Sequence, residues 1–407
     1  MCNMEIRRTV NLISLGVGSF NTLTFEANDI LKKSDVIICV GKAFKTLEKF
    51  NKPIFVFYKS LEILKFIEDN QKYENIAIAY LGDVGFYSNA NNILKRLSGY
   101  DVKVIPGVSS MAYFASKLKI PWEDMEFISF NGKETNIVAE VLNNEKVFTL
   151  LGAENCDLNN ICNKLVDYGL QDINMAVGCN LSFDNECIKV GKVKEFVDYT
   201  YNGLCVCIFF NENCNKRIYN NIQNENLLYN EGAKINEEAR SLSIIKLGLT
   251  QNSVVYDIGA KTGSVSVEAA LNIPKGKVYA IEKDDENINI INENKKKFKA
   301  DNLYIVKGKE PEILMNLDIP THAFIDGISN NLEEIIEVLL YKNPKIRIVI
   351  NAITSQSLMK ILECIEKFPL VNVDITHLSV VKGKNIKKSN LLKEENNIYI
   401  ITLEGTE

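Results

Sequence analysis

Between residues 254 and 282 the chain reads Val254-Val255-Tyr256-Asp257-Ile258, then Gly259-Ala260-Lys261-Thr262-Gly263, then a helical stretch, then Val278-Tyr279-Ala280-Ile281-Glu282. An apolar run, a glycine turn, a helix and a second apolar run closed by an acid describe a β-α-β unit with two parallel strands. Glycines in such a turn let the backbone approach a ligand that a Cβ would hold off. A carboxylate ending the second strand is placed to accept hydrogen bonds from both hydroxyls of a ribose. The third glycine of the dinucleotide fingerprint is missing, so pyrophosphate is not the implied guest. The plain alternative is an α/β turn that binds nothing.

A chain of 407 residues exceeds one ordinary domain, and two or three are expected. With 46% apolar and 24% charged residues it has the composition of a soluble globular protein without long disordered tracts. A formal charge of -5 argues against a nucleic-acid partner held by counterion release. The basic clusters Lys295-Lys296-Lys297 and Lys387-Lys388 read as solvated faces. Ten cysteines occur without a C-x-x-C pair, which fits reduced, buried thiols in a cytoplasmic enzyme and no metal site. Cys205 and Cys207 share one strand face and read as packing residues. No apolar run is long enough for a membrane span and no signal peptide is visible, so no membrane partner is expected.

Short apolar runs alternate with amphipathic stretches from residue 9 onward: Thr9 to Leu15, Val36 to Val40, Ile54 to Tyr58, Ile76 to Leu81 and Val102 to Ile105. They predict parallel strands with crossover helices. A second group (Glu126 to Phe130, Val147 to Leu151, Asn174 to Gly178, Leu204 to Phe210) predicts a second sheet in the same half. Residues 211–236 are rich in Asn and Glu, lack apolar periodicity and read as a linker. The expected domains are 1–210 and 237–407, the latter with seven strands and an antiparallel pair at its end.

The first strand runs into Gly16-Val17-Gly18-Ser19-Phe20-Asn21-Thr22-Leu23-Thr24. Downstream lie Leu81-Gly82-Asp83-Val84-Gly85-Phe86-Tyr87-Ser88, Val104-Ile105-Pro106-Gly107-Val108-Ser109-Ser110 and Ile120-Pro121-Trp122. Each is expected to follow a strand, so the loops should gather at the carboxyl edge of a parallel sheet, where ligands bind. Ser109 and Ser110, at a helix start, can either cap the helix or donate to a carboxylate. These four motifs, in this order, resemble the tetrapyrrole methylase superfamily over residues 10–210, whose members use S-adenosylmethionine. Pro121-Trp122 and Ser129-Phe130-Asn131-Gly132-Lys133 are similar to the branch that methylates precorrins at C5, with Asn131 in the place of a histidine.

The second half resembles class I S-adenosylmethionine methyltransferases, and Ala239 to Ser243, Asp257-Ile258-Gly259, Pro311-Glu312 and Asn331 to Ile335 resemble the precorrin C15 methylases that also decarboxylate the C12 acetate. The order of the two halves is similar to the fused C5/C15 precorrin methyltransferases of corrin-ring and cobalamin biosynthesis. The resemblance implies an α/β architecture: a two-lobed tetrapyrrole methylase fold followed by a Rossmann-like, seven-stranded class I fold. It implies a precorrin or cobalt-precorrin substrate and a homo-oligomer.

For the cofactor, the resemblance implies Gly82, Asp83, Phe86, Ser109, Ser110, Leu151 and Gly178 in the first domain, and Asp257, Gly259, Ala260, Gly263, Glu282, Gly308 and Glu310 in the second. Gly16, Gly18 and Thr24, with Asp326, Gly327 and Ser329, would border substrate. Lys42, Lys133 and Arg240 are candidate cations for its carboxylates, whereas His322 reads as structural. Three departures from the family pattern stand out: Lys261 for a glycine, Lys309-Glu310 for Asp-Ala, and Asp326 to Asn330 for a glycine-rich loop. They leave open a monofunctional C5 methylase with a scaffold-like second domain. The residues by themselves also admit a methyltransferase of another tetrapyrrole or of RNA, and a nicotinamide-binding protein.

Overall fold

The computed structural model describes residues 8–41, 44–88, 90–130, 135–151, 157–201, 203–214, 221–230, 235–326, 331–386 and 389–406. The chain divides into two compact units, one of residues 1–134, 144–166 and 170–212, the other of 135–143, 167–169 and 213–407.

Five apolar runs form β1 (Thr9–Ser14), β2 (Val36–Val40), β3 (Ile54–Phe57), β4 (Asn75–Tyr80) and β5 (Asp101–Ile105). They make one fully parallel sheet in the order β3-β2-β4-β1-β5. Its central strands are apolar on both faces because both are covered. Val10 and Leu12 pack with Ile63, Ile67 and Ile93, while Ile13 and Leu15 pack with Ala27 and Leu31. The Gly16, Gly82 and Pro106-Gly107 loops therefore leave the same edge. Ile120 to Trp122 does not: it follows the helix Ser110–Leu118 rather than a strand, and Trp122 is exposed.

The second sheet of this unit comprises β6 (Met125–Ile128), β7 (Lys146–Leu151), β8 (Asn174–Cys179), β9 (Cys187–Lys192) and β10 (Cys205–Phe210) in the order β6-β7-β10-β8-β9. Only the β6–β7 pair is parallel. The edge strand β9 has no apolar run to betray it. Cys179 and Cys205 face each other across β8 and β10 and are joined as a disulfide, correcting the expectation of reduced thiols. Antiparallel register, which spacing along the chain does not reveal, brings the two sulfurs together.

In the second unit, β11 (Val254–Ile258), β12 (Lys277–Glu282), β13 (Leu303–Lys307), β14 (His322–Asp326), β15 (Arg347–Ala352), β16 (Leu370–Leu378) and β19 (Ile398–Gly405) form a seven-stranded sheet. The order is β13-β12-β11-β14-β15-β19-β16, with both pairings of β19 antiparallel. The direction of winding reverses between β11 and β14, the position at which open α/β sheets bind ligands. A hairpin of β17 (Val381–Ile386) and β18 (Ser389–Glu394), absent from the sequence-based expectation, stands apart from this sheet.

Part of the expected linker is built into the second core. Ile222 and Leu227 pack among Val255, Val267 and Leu303. Arg240, fully buried, holds that segment: its Nε donates to Glu268 Oε2 at 2.8 Å, its Nη1 to Asn224 Oδ1 at 2.7 Å and Tyr229 Oη at 3.1 Å, and its Nη2 to the Ile222 carbonyl. Arg240 is thus a structural cation and not one at a substrate mouth. No helix among the described residues is long and apolar enough to cross a membrane.

Candidate functional site

In the first unit, side chains and backbone lash the three loops at the parallel edge together. The Gly82 N–H donates to Gly16 O at 2.6 Å, and the Val84 N–H to Ser14 Oγ at 2.8 Å. Asp83 accepts from the Gly85 N–H through Oδ1 and from the Gly107 N–H through Oδ2, both at 2.8 Å. Its carboxylate thus organises the loops rather than standing free for a ligand. Three glycines of these loops are required by close approach: a Cβ on Gly16 would run into the Thr22 carbonyl, one on Gly107 would lie 2.5 Å from Ser14 Cβ, and one on Gly18, at φ 119°, would run into the Phe183 ring.

The second lobe reaches the same place through the turn after β8. Glu186 accepts from the Ser182 N–H at 2.7 Å and from Tyr113 Oη at 2.8 Å, and pairs with Lys117 at 2.8 Å. Burial works to raise its pKa, but the bonds from Lys117, Ser182 and Tyr113 outweigh it and hold the carboxyl below its ordinary range. Ser182 Oγ in turn accepts from the Ser19 N–H at 2.9 Å, joining the two lobes.

Between the lobes lies a cavity of about 390 Å³, within the usual range for small-molecule sites. Gly82, Asp83, Phe86, Ser110 and Leu151, the residues that the resemblance assigns to the cofactor, line it. Gly82, at φ 81°, has open space where a Cβ would stand, which fits a ligand lying against its backbone. Ser109 instead caps the helix Ser110–Leu118 by accepting from the Ala112 N–H at 3.1 Å, and Gly178 lies beneath Phe114 and Leu181. Gly16 and Gly18 shape the loop from which Val17 reaches the cavity, and Thr24 caps the helix Phe25–Lys33, accepting from the Ala27 N–H at 3.2 Å.

Sequence reasoning missed Tyr80, Tyr87, Asn180, Leu181, Phe183 and Val206 in this wall. Tyr87 carried a signal only in its place within the glycine motif; it adopts φ 49°, and burial followed by the Glu126 charge pushes its phenol up. Tyr80 has a buried hydroxyl without a hydrogen-bond partner among the described residues, and burial raises its pKa.

In the second unit the turn after β11 is held by the neighbouring strand: the Gly259 and Ala260 N–H groups both donate to Ile281 O, at 3.1 and 3.0 Å. Glu282 accepts from the Lys261 N–H at 2.7 Å, the Lys283 N–H at 2.8 Å and the Asp284 N–H at 3.0 Å. Two carboxylate oxygens offer about four lone-pair sites, so capacity for a ribose hydroxyl remains. Asp257 is buried and accepts from the Ser266 hydroxyl. Burial pushes its pKa up to about 7, with the Asp326 and Glu282 charges adding to the rise and Ser266 opposing it. Gly263, at φ 73°, caps the helix Ser264–Asn272 against Ile291.

Lys261 adopts φ 52°, a conformation that favours glycine, and its Nζ lies 2.6 Å from Asp326 Oδ2 at the end of β14. The remaining space is about 10 Å³, bounded by Asp257, Gly259, Ala260, Lys261 and Asp326. Gly259, at φ 74°, has open space beside its backbone. Gly308 donates its N–H to Glu282 O at 3.1 Å, and the Glu310 carbonyl accepts from Asn331 Nδ2 at 3.3 Å; neither borders this space. Gly327, Ser329, Lys42 and Lys133 lie outside the described residues. His322 opens β14 beside Thr321 Oγ1 at 2.7 Å, and burial, then Arg347, lower its pKa to about 4.

Residues 9–197 match the tetrapyrrole (corrin/porphyrin) methylases, and residues 227–403 match the precorrin methyltransferase domain. A probable cobalt-precorrin-6B C(15)-methyltransferase (decarboxylating) of Saccharolobus solfataricus is 36% identical over 175 residues, 41% of this chain and 86% of that protein. The protein of the same name from Methanococcus maripaludis is 36% identical over 182 residues, 44% of this chain and 97% of its own. A crystal structure of precorrin-6y C5,15-methyltransferase from Geobacter metallireducens is 31% identical with a TM-score of 0.44, covering 46% of this chain and 100% of that one. At 36% identity across 86% of the Saccharolobus solfataricus protein, the chain belongs to the precorrin methyltransferases, its precorrin methyltransferase domain preceded by a tetrapyrrole methylase domain.

Proposed function

We propose that the chain is an S-adenosylmethionine-dependent C-methyltransferase of corrin-ring biosynthesis. The first domain (1–210) methylates C5 of a precorrin or cobalt-precorrin, and the second (237–407) methylates C15 and removes the C12 acetate as carbon dioxide. One observation carries this reading: a single chain joins a largely apolar cavity of about 390 Å³, open to the Gly82 backbone, in a tetrapyrrole methylase domain to the Gly259–Glu282 turn of a precorrin methyltransferase domain.

S-adenosylmethionine supplies a methyl group on a sulfonium, which a nucleophilic ring carbon displaces in line, so the protein's task is positioning. Asp83 does this indirectly, tying the Gly85 and Gly107 backbones together and so holding the loop from which Gly82 faces the cavity. Phe86, Leu151, Leu181 and Val206 exclude water around it. In the second domain Glu282 is the ribose acceptor and the Gly259 backbone the bed for the donor.

The closing of the second site by Lys261 and Asp326 favours one alternative, a C5 methylase whose second domain is a scaffold. Incubation with precorrin intermediates and methyl-labelled S-adenosylmethionine separates the two. Two methyl groups and one carbon dioxide per substrate support the bifunctional reading, whereas one methyl and no carbon dioxide support the scaffold.

A further inference from the structure

Lys261 is an odd residue for its place. The backbone there is left-handed, a conformation a glycine adopts without strain, yet the chain keeps a lysine and directs its amine to the end of β14. The turn is acidic: Asp257, Glu282 and Asp326 surround it. Lys261 is the one cation among the described residues that border the small space above it. Both members of the pair sit at the reversal of strand order, between β11 and β14, with side-chain exposures of 44% for Lys261 and 15% for Asp326.

The amino-acid end of a sulfonium donor is a zwitterion, an α-carboxylate beside an α-ammonium. Among three carboxylates an α-carboxylate is repelled unless a cation meets it. An α-ammonium needs an anion whose present partner the ligand can replace. Glu282 receives three backbone N–H groups, and Asp257 is enclosed against Ser266, whereas the Asp326 carboxylate is held by the Lys261 amine. An adjacent ammonium and carboxylate have the charge pattern of that zwitterion in reverse.

We propose that Lys261 and Asp326 form a two-charge clamp for the amino-acid end of the donor in the second domain: Lys261 takes the α-carboxylate and Asp326 the α-ammonium. The ion pair of the free protein is then exchanged for two with the ligand. This rests on the reading of the second domain as an S-adenosylmethionine site. It makes Lys261 a determinant of donor specificity, in place of the backbone contact that a glycine would offer.

The test is calorimetric titration of the full chain with S-adenosylhomocysteine and with 5′-methylthioadenosine, which carries the nucleoside but lacks the amino-acid end. Wild type should take two S-adenosylhomocysteine molecules per chain. Lys261→Met and Asp326→Asn should each weaken one of the two sites about tenfold or more, the loss expected for a hydrogen bond between charged groups. The other site serves as the internal control. Lys261→Arg should restore binding to within about threefold, because the charge is kept. Affinity for 5′-methylthioadenosine should be the same in all four proteins, and melting of the unliganded variants reports that they fold. One site in wild type overturns the donor reading of the second domain and the clamp with it. Two sites unmoved by the substitutions, tightened by Lys261→Met, or weakened equally for both ligands overturn the clamp alone.

Discussion

Arg240→Met should unfold the second unit at a much lower temperature. The guanidinium is fully buried and its partner Glu268 is 1% exposed, so neither charge has water to fall back on. Removing the arginine leaves the Glu268 carboxylate with two backbone donors, the Asn221 N–H at 3.1 Å and the Ile222 N–H at 3.3 Å. It also strips donors from the Ile222 carbonyl, Asn224 Oδ1 and Tyr229 Oη. Breaking one side of a buried pair costs about 3–5 kcal/mol, most of it the stranded charge. At roughly 2–4 °C per kcal/mol for a unit of this size, the melting temperature should drop by about 6–20 °C. Urea and thermal denaturation followed by circular dichroism read the loss, and hydrogen exchange at Ile222 localises it. Arg240→Met/Glu268→Leu, which removes both charges, should recover about half of the deficit. A loss below about 1 kcal/mol, or a double variant as unstable as the single one, would refute the account of Arg240 as the anchor of segment 221–230.

Three further outcomes are expected. Asp257 titrates near 7 in the folded protein against an ordinary value of 3.8, so the unfolded chain releases this proton first as pH rises. Its contribution to stability is complete below pH 4 and is lost towards pH 7; Asp257→Asn should flatten that decline in urea titrations, and an unchanged slope would contradict the burial argument. Gly107→Ala places a Cβ 2.5 Å from Ser14 Cβ and shifts the N–H that Asp83 holds, so it should cost about 1–3 kcal/mol and weaken S-adenosylhomocysteine binding in the first cavity, as titration would report. Tyr80→Phe removes a buried hydroxyl that has no partner among the described residues, so the unliganded protein should be as stable or up to about 1 kcal/mol more stable; a loss of that size in denaturant melts would mean that the hydroxyl has a partner.

The parts of the fold that local pattern encodes were legible in the chain. Runs such as Val36 to Val40 and Val278 to Ile281 are apolar on both faces because helices cover both, and that signal survives without knowledge of any partner. Glycines at 82, 107, 259 and 263 announced their loops because each stands where a side chain would collide or the backbone turns left-handed. β9 escaped notice because an edge strand need not be apolar.

At the sites, residue types and places in sequence pointed to Gly82 and Ser110, and the family resemblance to Phe86 and Leu151, around one cavity; in the second domain they pointed to Gly259 and Glu282 at one turn. What each side chain touches was decided elsewhere. Asp83 is occupied by Gly107, Arg240 is sealed against Glu268, Cys179 meets Cys205, and Lys261 reaches Asp326 across strands that are distant in the chain. A sequence determines backbone conformation through short-range sterics and apolar periodicity. Pairings between charges depend on strand order and register, and these exist only once the sheets have assembled.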